Sequence, residues 1–126
     1  MKSTFTYTGI RVKNLEESVR FYTGLLGMKE IGRNRIEATG GEVVALATEK
    51  GGPELELNYY PQGNKFAPAY TVGEGLDHLA FRVENLETAI AEFEKAGHPV
   101  VVEIKSGSSR WVYVQDPNGI YIELFA

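Results

Sequence analysis

Cysteine is absent from this sequence, which excludes disulfide bonds, thiolate metal ligands and a cysteine nucleophile. Histidine is nearly as scarce, and because only two occur, histidine alone gives weak support for a metal site. Basic residues are not in excess: 13 Lys and Arg stand against 17 Asp and Glu, for a net charge of -4. A protein that binds nucleic acid needs a basic surface to neutralise phosphates, so this balance argues against a nucleic-acid partner.

Long apolar runs are also missing. The first residues lack the apolar stretch of a signal peptide, and no run of about 18 apolar residues occurs anywhere. We therefore expect a soluble, cytoplasmic protein without a membrane partner. With 126 residues, 43% of them hydrophobic, the chain is long enough to form one domain around one core.

An internal repeat is the most informative feature that is present. Residues 10–16 match residues 81–87, 71 positions later, and share Arg, Val, Asn, Leu and Glu. Residues 55–57 (Leu-Glu-Leu) resemble residues 122–124 (Ile-Glu-Leu), 67 positions later. A difference of four residues in loop length accounts for the two offsets. The sequence therefore predicts two copies of one folding unit.

Each half has the pattern of a strand, a helix and three further strands. Asn14, with Glu17 three positions on, resembles a capping box and predicts a helix start, and Gly27 is placed to end that helix. Asn85 and Gly97 have the same roles in the second half. Beside the strand that carries residues 79–83, we expect strands near residues 5–12, 29–33, 43–48, 54–59, 100–104, 110–115 and 120–125.

These elements predict an α+β fold in which two tandem βαβββ modules form a curved mixed sheet. We expect one domain over residues 1–126. Its first module covers about residues 1–60, and its second covers about residues 76–126. Between them, residues 61–75 are rich in Tyr, Pro and Gly without periodicity, and we interpret them as the linker.

Three metal-ligating side chains are predicted to lie on one face of the sheet. Residues two apart in a strand share a face, so Glu56, His78 and Glu123 point away from the helices. Two carboxylates and an imidazole suit a divalent cation, which relieves the repulsion between like charges and leaves coordination positions open. The competing interpretation is two exposed strand glutamates and a structural histidine. The repeat favours the metal site, and it places Tyr7 at the position equivalent to His78.

Four separated blocks, residues 7–12, 54–59, 75–81 and 116–124, resemble glyoxalase I (lactoylglutathione lyase) and the wider vicinal oxygen chelate superfamily. The resemblance covers essentially the whole chain. It implies one divalent ion (Ni, Co, Zn or Mn) held by Tyr7, Glu56, His78 and Glu123, two residues from each module. It also implies a homodimer, and leaves open whether the modules pair within one chain or exchange between two.

The activity that this resemblance implies is proton transfer next to a carbonyl of a small substrate, through an enediolate whose oxygens the ion binds. Glu123 is our preferred base, with Glu56 as the other catalytic carboxylate. A thiol transferase, an epimerase and a non-catalytic binding protein of the antibiotic-resistance type remain alternatives. Tyr7 departs from the family, which has His or Gln there, and a neutral phenol is a poor ligand. It would otherwise line the pocket or make a hydrogen bond.

Substrate contacts are implied at five further positions. Arg11 resembles the arginine that contacts the glutathione carboxylate in glyoxalase I, although its repeat counterpart is also Arg, which fits a structural role. Asn58 shares the open face, and Tyr60 occupies the place of an asparagine of that family. Lys105 and Arg110 lie at the two ends of a polar loop, which either clamps an anion or is a solvated turn.

Overall fold

The computed structural model of this protein describes residues 2, 4–64, 67–74, 76 and 78–126. The chain divides into two compact units, Met1–Tyr70 and Thr71–Ala126. Their boundary falls inside the predicted linker, residues 61–75, of which residues 65, 66 and 75 lie outside the described residues. Each unit contains one strand, one helix and three further strands, so the predicted pair of βαβββ modules is confirmed.

The helices and strands lie close to their predicted positions. In the first unit they are β1 (Tyr7–Arg11), α1 (Leu15–Gly24), β2 (Lys29–Ile36), β3 (Gly41–Ala47) and β4 (Glu54–Tyr59). In the second unit they are β5 (His78–Arg82), α2 (Leu86–Lys95), β6 (Val102–Ser106), β7 (Ser109–Gln115) and β8 (Tyr121–Phe125). Neither helix reaches the length and apolar character needed to cross a membrane, over the residues that the structure describes.

Each unit forms its own four-stranded mixed sheet. The strand orders are β1-β4-β3-β2 and β5-β8-β7-β6, and in each sheet the first two strands are parallel while the others are antiparallel. The register also repeats, because Gly9 lies opposite Glu56 in the first unit and Ala80 lies opposite Glu123 in the second. The two glutamates therefore occupy equivalent places in their sheets.

Asparagine side chains start both helices, as the sequence predicts. The Asn14 side chain accepts a hydrogen bond of 3.0 Å from the Glu17 amide, and the equivalent asparagine in α2 does the same at 2.9 Å. These bonds satisfy backbone donors that the first helical turn leaves without partners. Helix α1 ends at Gly24, three residues before the predicted end at Gly27, and Gly27 adopts the left-handed conformation with φ of +68°.

The alternating strand pattern places a core beneath each sheet. The side chains of Leu57 in β4 and of Ile122 and Leu124 in β8 are fully buried. Glu56 is adjacent to Leu57, and Glu123 lies between Ile122 and Leu124. Because neighbouring residues in a strand point to opposite faces, both glutamates face away from the core. Leu79 in β5 is half-buried.

The turn between β7 and β8 fixes the register of the strand that carries Glu123. Buried Asp116 accepts hydrogen bonds of 2.8 Å from the backbone amides of Asn118 and Ile120, both through Oδ1. Its Oδ2 accepts a third bond from the Asn118 side chain at 2.9 Å. Gly119 has φ of +84°, which permits the tight reversal.

Candidate functional site

In the second unit the structure brings His78 and Glu123 together. His78 opens β5, Glu123 lies in the middle of β8, and the two strands are adjacent and parallel. The Nε2 atom of His78 is 3.2 Å from Oε2 of Glu123. Their side chains are 33% and 19% exposed, so both are partly open to solvent.

A tyrosine completes this arrangement. Tyr113 of β7 lies directly opposite Glu123, and its hydroxyl donates a hydrogen bond of 2.8 Å to Oε2 of Glu123. Its ring also meets the ring of His78 edge to face, with 5.5 Å between the centroids. Our sequence reasoning missed this bond. A hairpin centred on Asn118 places positions 113 and 123 opposite each other, and this symmetry is the signal that predicts the pairing.

The His78 and Glu123 pair fits the donor set of a divalent ion. Two donors that are each about 2.1 Å from an ion, at an angle of about 90° to 110°, lie about 3.0 to 3.4 Å apart. The observed separation of 3.2 Å falls in this range. One imidazole nitrogen and one carboxylate suit Zn, Ni or Co. Across the described part of the chain, no group of three or more His, Cys, Asp or Glu is gathered as a metal site, so the structure assembles a pair.

Glu56, the equivalent glutamate of the first unit, has different neighbours. It is half-buried, and Gly9 and Ala45 lie opposite it in β1 and β3. Among the described residues its carboxylate has no hydrogen bond or ion pair. Tyr7, at the start of β1, is 48% exposed and pairs with Glu54. Both predicted ligands of this unit therefore belong to one partly open sheet face.

A positively charged cleft of 770 Å³ also lies in the first unit, and Arg11 and Lys13 line it together with three tyrosines. The Arg11 guanidinium is 5.9 Å from the ring centroid of Tyr60 and 5.8 Å from that of Tyr70. The Lys13 ammonium is 5.6 Å from the Tyr70 ring. No Asp or Glu is among the described residues that line this cleft. Its charge and its aromatic walls suit an anionic group.

Asn58 is committed to the backbone. Its side-chain nitrogen donates to the carbonyl oxygens of Ile10, at 3.4 Å, and Glu56, at 3.3 Å. A Cβ atom at position 9 would lie 3.1 Å from the Asn58 nitrogen, so a larger residue there would make a tight contact with this amide. The contact with Ile10 ties β4 to β1, and the contact with Glu56 lies within β4.

The predicted anion clamp of the second unit is engaged in ion pairs. Arg110 contacts Glu87 and Glu103, and Lys105 lies 3.4 Å from Glu103. The hydrogen bond from Arg110 lowers the pKa of the Glu103 carboxyl from its ordinary value. Arg110 nevertheless lines a second cleft, of 510 Å³, together with Trp111, Phe125 and Glu123. Glu123 thus borders a cleft whose lining is partly apolar and includes the ion-paired guanidinium of Arg110.

Residues 4–124 match the model of the Glyoxalase/Bleomycin resistance protein/Dioxygenase superfamily. The chain belongs to this superfamily. Lactoylglutathione lyase of Salmonella typhimurium is 33% identical over 126 residues, which cover 94% of this chain and 88% of the relative. Lactoylglutathione lyase of Schizosaccharomyces pombe is 31% identical over 94% of this chain, which spans 45% of that longer protein.

Structural comparison agrees with the superfamily assignment. The trypanothione-dependent glyoxalase I of Leishmania major has a TM-score of 0.79 and 32% identity, covering 98% of this chain and 86% of that protein. These relatives support a function of the glyoxalase type on a small-molecule substrate. Two of the predicted ligands, His78 and Glu123, are in contact with each other, and both belong to the second unit.

Proposed function

We propose that this chain is a metal-dependent lyase or isomerase of the glyoxalase I type, which acts on a small carbonyl compound or its thiol adduct. The contact between His78 Nε2 and Glu123 Oε2 carries the proposal, because its 3.2 Å length suits two ligands of one ion on an open sheet face. Lactoylglutathione lyases at about a third identity support the reaction class.

The ion would be Ni, Co, Zn or Mn, and Tyr7, Glu56, His78 and Glu123 would hold it. When bound, such an ion stabilises negative charge on substrate oxygens. His78 can bind it only as neutral imidazole with Nε2 unprotonated. Tyr7 is the weakest member of the set, and a water molecule or a substrate oxygen can take its place.

Glu123 is the proposed base. Its carboxylate would take the proton from the carbon next to the carbonyl, so that the C–H bond breaks and its electron pair moves into an enediolate. The same carboxyl would return the proton to the neighbouring carbon. The hydroxyl proton of the first carbon moves to the former carbonyl oxygen, and the hemithioacetal is thereby converted into its isomeric thioester without an oxidant or a reductant. A carboxylate accelerates such a proton transfer when it is held in line with the substrate carbon.

Arg11 is the proposed anchor for an anionic part of the substrate. Replacement by alanine should lower kcat/KM for an anionic thiol adduct about 10- to 100-fold, because a hydrogen bond to a charged group contributes roughly 1.5 to 3 kcal/mol. Steady-state kinetics would measure the loss. Arg82→Ala is the matched control, since Arg82 is the repeat counterpart, and its guanidinium lies 5.4 Å from the Phe125 ring. Equal losses in both variants would contradict a specific role for Arg11.

The direct test measures the untagged wild-type protein. Elemental analysis should find one divalent ion per chain, and a metal-stripped sample should regain its melting temperature when Ni, Co, Zn or Mn is added. The loaded protein should isomerise the hemithioacetal of a 2-oxoaldehyde, offered with glutathione or another thiol. Absence of bound metal, together with an unchanged melting temperature, would overturn the proposal.

Tyr7 supports a second candidate, a non-catalytic protein that binds a small molecule. A phenol at the place of a metal ligand is a reason for an ion to bind weakly. Such a protein would contain no ion and would show no isomerase activity. Calorimetric binding of an apolar or cationic antibiotic by the metal-free protein would support this candidate.

Assembly and location form part of the same proposal. Members of the superfamily commonly form dimers, and we propose a homodimer here. If two chains exchange modules, dilution below the dimer dissociation constant should weaken metal binding. A monomer that retains tight binding would exclude this exchange. A cytoplasmic location also stays a prediction.

A further inference from the structure

The two glutamates that occupy equivalent places in the repeat have different neighbours in the adjacent strands. Glu56 lies between Gly9 and Ala45, whereas Glu123 lies between Ala80 and Tyr113. The repeat therefore supplies a phenol next to one carboxylate and a methyl group next to the other. Because the sheet register is the same in both units, the difference comes from the side chain alone.

The phenol of Tyr113 constrains the orientation of the Glu123 carboxylate. The hydroxyl donates to Oε2 at 2.8 Å, and the same oxygen lies 3.2 Å from His78 Nε2. Neither contact uses Oε1. A carboxyl group held at one oxygen by two neighbours on adjacent strands loses rotational freedom. Because this entropy is already lost in the folded protein, binding of a metal ion does not have to meet its cost.

The Tyr113 ring is itself held in place. It contacts the ring of His78 edge to face at 5.5 Å and that of Tyr121 at 6.2 Å, and its strand position is fixed by backbone pairing on both sides. A donor on a rigid strand orients its partner more accurately than one on a loop. Tyr113 therefore links the predicted imidazole ligand and the predicted carboxylate ligand of this unit.

We propose that Tyr113 is a positioning residue, which holds the Glu123 carboxylate with Oε2 beside His78 Nε2 so that both donors reach one divalent ion. This inference rests on the proposed metal-dependent function, and it assigns a residue to the site beyond the predicted ligands. Carboxylates that bind metals are commonly hydrogen-bonded by a second residue, and loss of such a bond lowers metal affinity by roughly 10- to 100-fold.

The test compares Tyr113→Phe with wild-type protein in metal-stripped form. Titration calorimetry with Co²⁺ should show affinity roughly 10- to 100-fold lower in the variant. The visible absorption of bound Co²⁺ should also change, because the carboxylate changes its orientation. Tyr121→Phe is the matched control, since it removes a hydroxyl from the same aromatic cluster, and this hydroxyl has no hydrogen bond among the described residues. The control should retain the wild-type affinity and spectrum.

A double-variant comparison separates positioning from general damage to the fold. If Tyr113 acts through Glu123, then Tyr113→Phe should have little further effect in the Glu123→Ala background, which has no acceptor for the phenol, and the two losses will not add. If Tyr113→Phe lowered the Co²⁺ affinity by the same factor in both backgrounds, the inference would be overturned. So would wild-type Co²⁺ affinity in Tyr113→Phe, or an equal loss in Tyr121→Phe. Absence of Co²⁺ binding by the wild type would overturn the proposed function and this inference together, whereas normal wild-type binding with an unaffected Tyr113→Phe overturns the inference alone.

Discussion

Exchange of Glu123 for glutamine is expected to lower the rate of hemithioacetal isomerisation by roughly 10²- to 10⁴-fold, the contribution of a positioned general base. Glutamine keeps the size of the side chain and a carbonyl oxygen that can still accept the Tyr113 hydroxyl. It has no oxygen able to take a proton near neutral pH, so proton transfer should fail while the site keeps its shape. Stopped-flow or steady-state measurement of thioester formation would give the rate.

Glu56→Gln is the comparison that assigns the base. It removes the equivalent carboxylate of the first unit, whose neighbours in the adjacent strands are Gly9 and Ala45. We expect a smaller loss of kcat here than in Glu123→Gln when both proteins are saturated with metal. A larger loss in Glu56→Gln would transfer the role of base to Glu56. Equal rates for wild type and Glu123→Gln would remove Glu123 from it.

Replacement of His78 by alanine is expected to abolish the stabilisation that metal gives to the wild type. An ion at 100 times its dissociation constant stabilises the folded state by about 2.7 kcal/mol, which for a chain of this size raises the melting temperature by roughly 10 °C. His78→Ala removes a predicted ligand. The affinity of this variant for the metal ion should therefore fall by more than the roughly 10- to 100-fold expected when a ligand loses a hydrogen bond to a neighbouring residue. Thermal unfolding with and without added Ni²⁺ would measure this.

The second histidine provides the control. His98 is half-buried, and its Nδ1 atom is 2.8 Å from the carbonyl oxygen of Gln115, a structural contact between the end of α2 and the end of β7. Substitution of His98 by alanine should lower the melting temperature of the metal-free protein and leave the metal-induced increase intact. An undiminished increase in His78→Ala would contradict its role as a ligand.

The two-module fold could be read from the sequence because its signals are local and occur twice. Asn14 and Asn85 each carry the side-chain oxygen that a helix start requires, and alternation in residues 54–59 and 121–125 separates buried from outward-facing positions. Two copies of a pattern make each assignment more secure than one copy would. The end of α1 was placed less accurately, since an apolar stripe does not show where the last helical hydrogen bond forms.

The sequence by itself determined the repeat, the strand faces and the residue types available for a metal site, namely Glu56, His78 and Glu123. Alternation within a strand depends only on backbone geometry, so these faces follow without knowledge of distant contacts. Tertiary structure decided which side chains touch. The 3.2 Å contact of His78 with Glu123 depends on the pairing of β5 with β8, two segments far apart in the chain, and the Tyr113 bond to the same oxygen depends on the register of the hairpin that joins β7 to β8. Strand pairing likewise brings the side-chain nitrogen of Asn58 to the carbonyl oxygen of Ile10, while its binding of substrate stays a prediction.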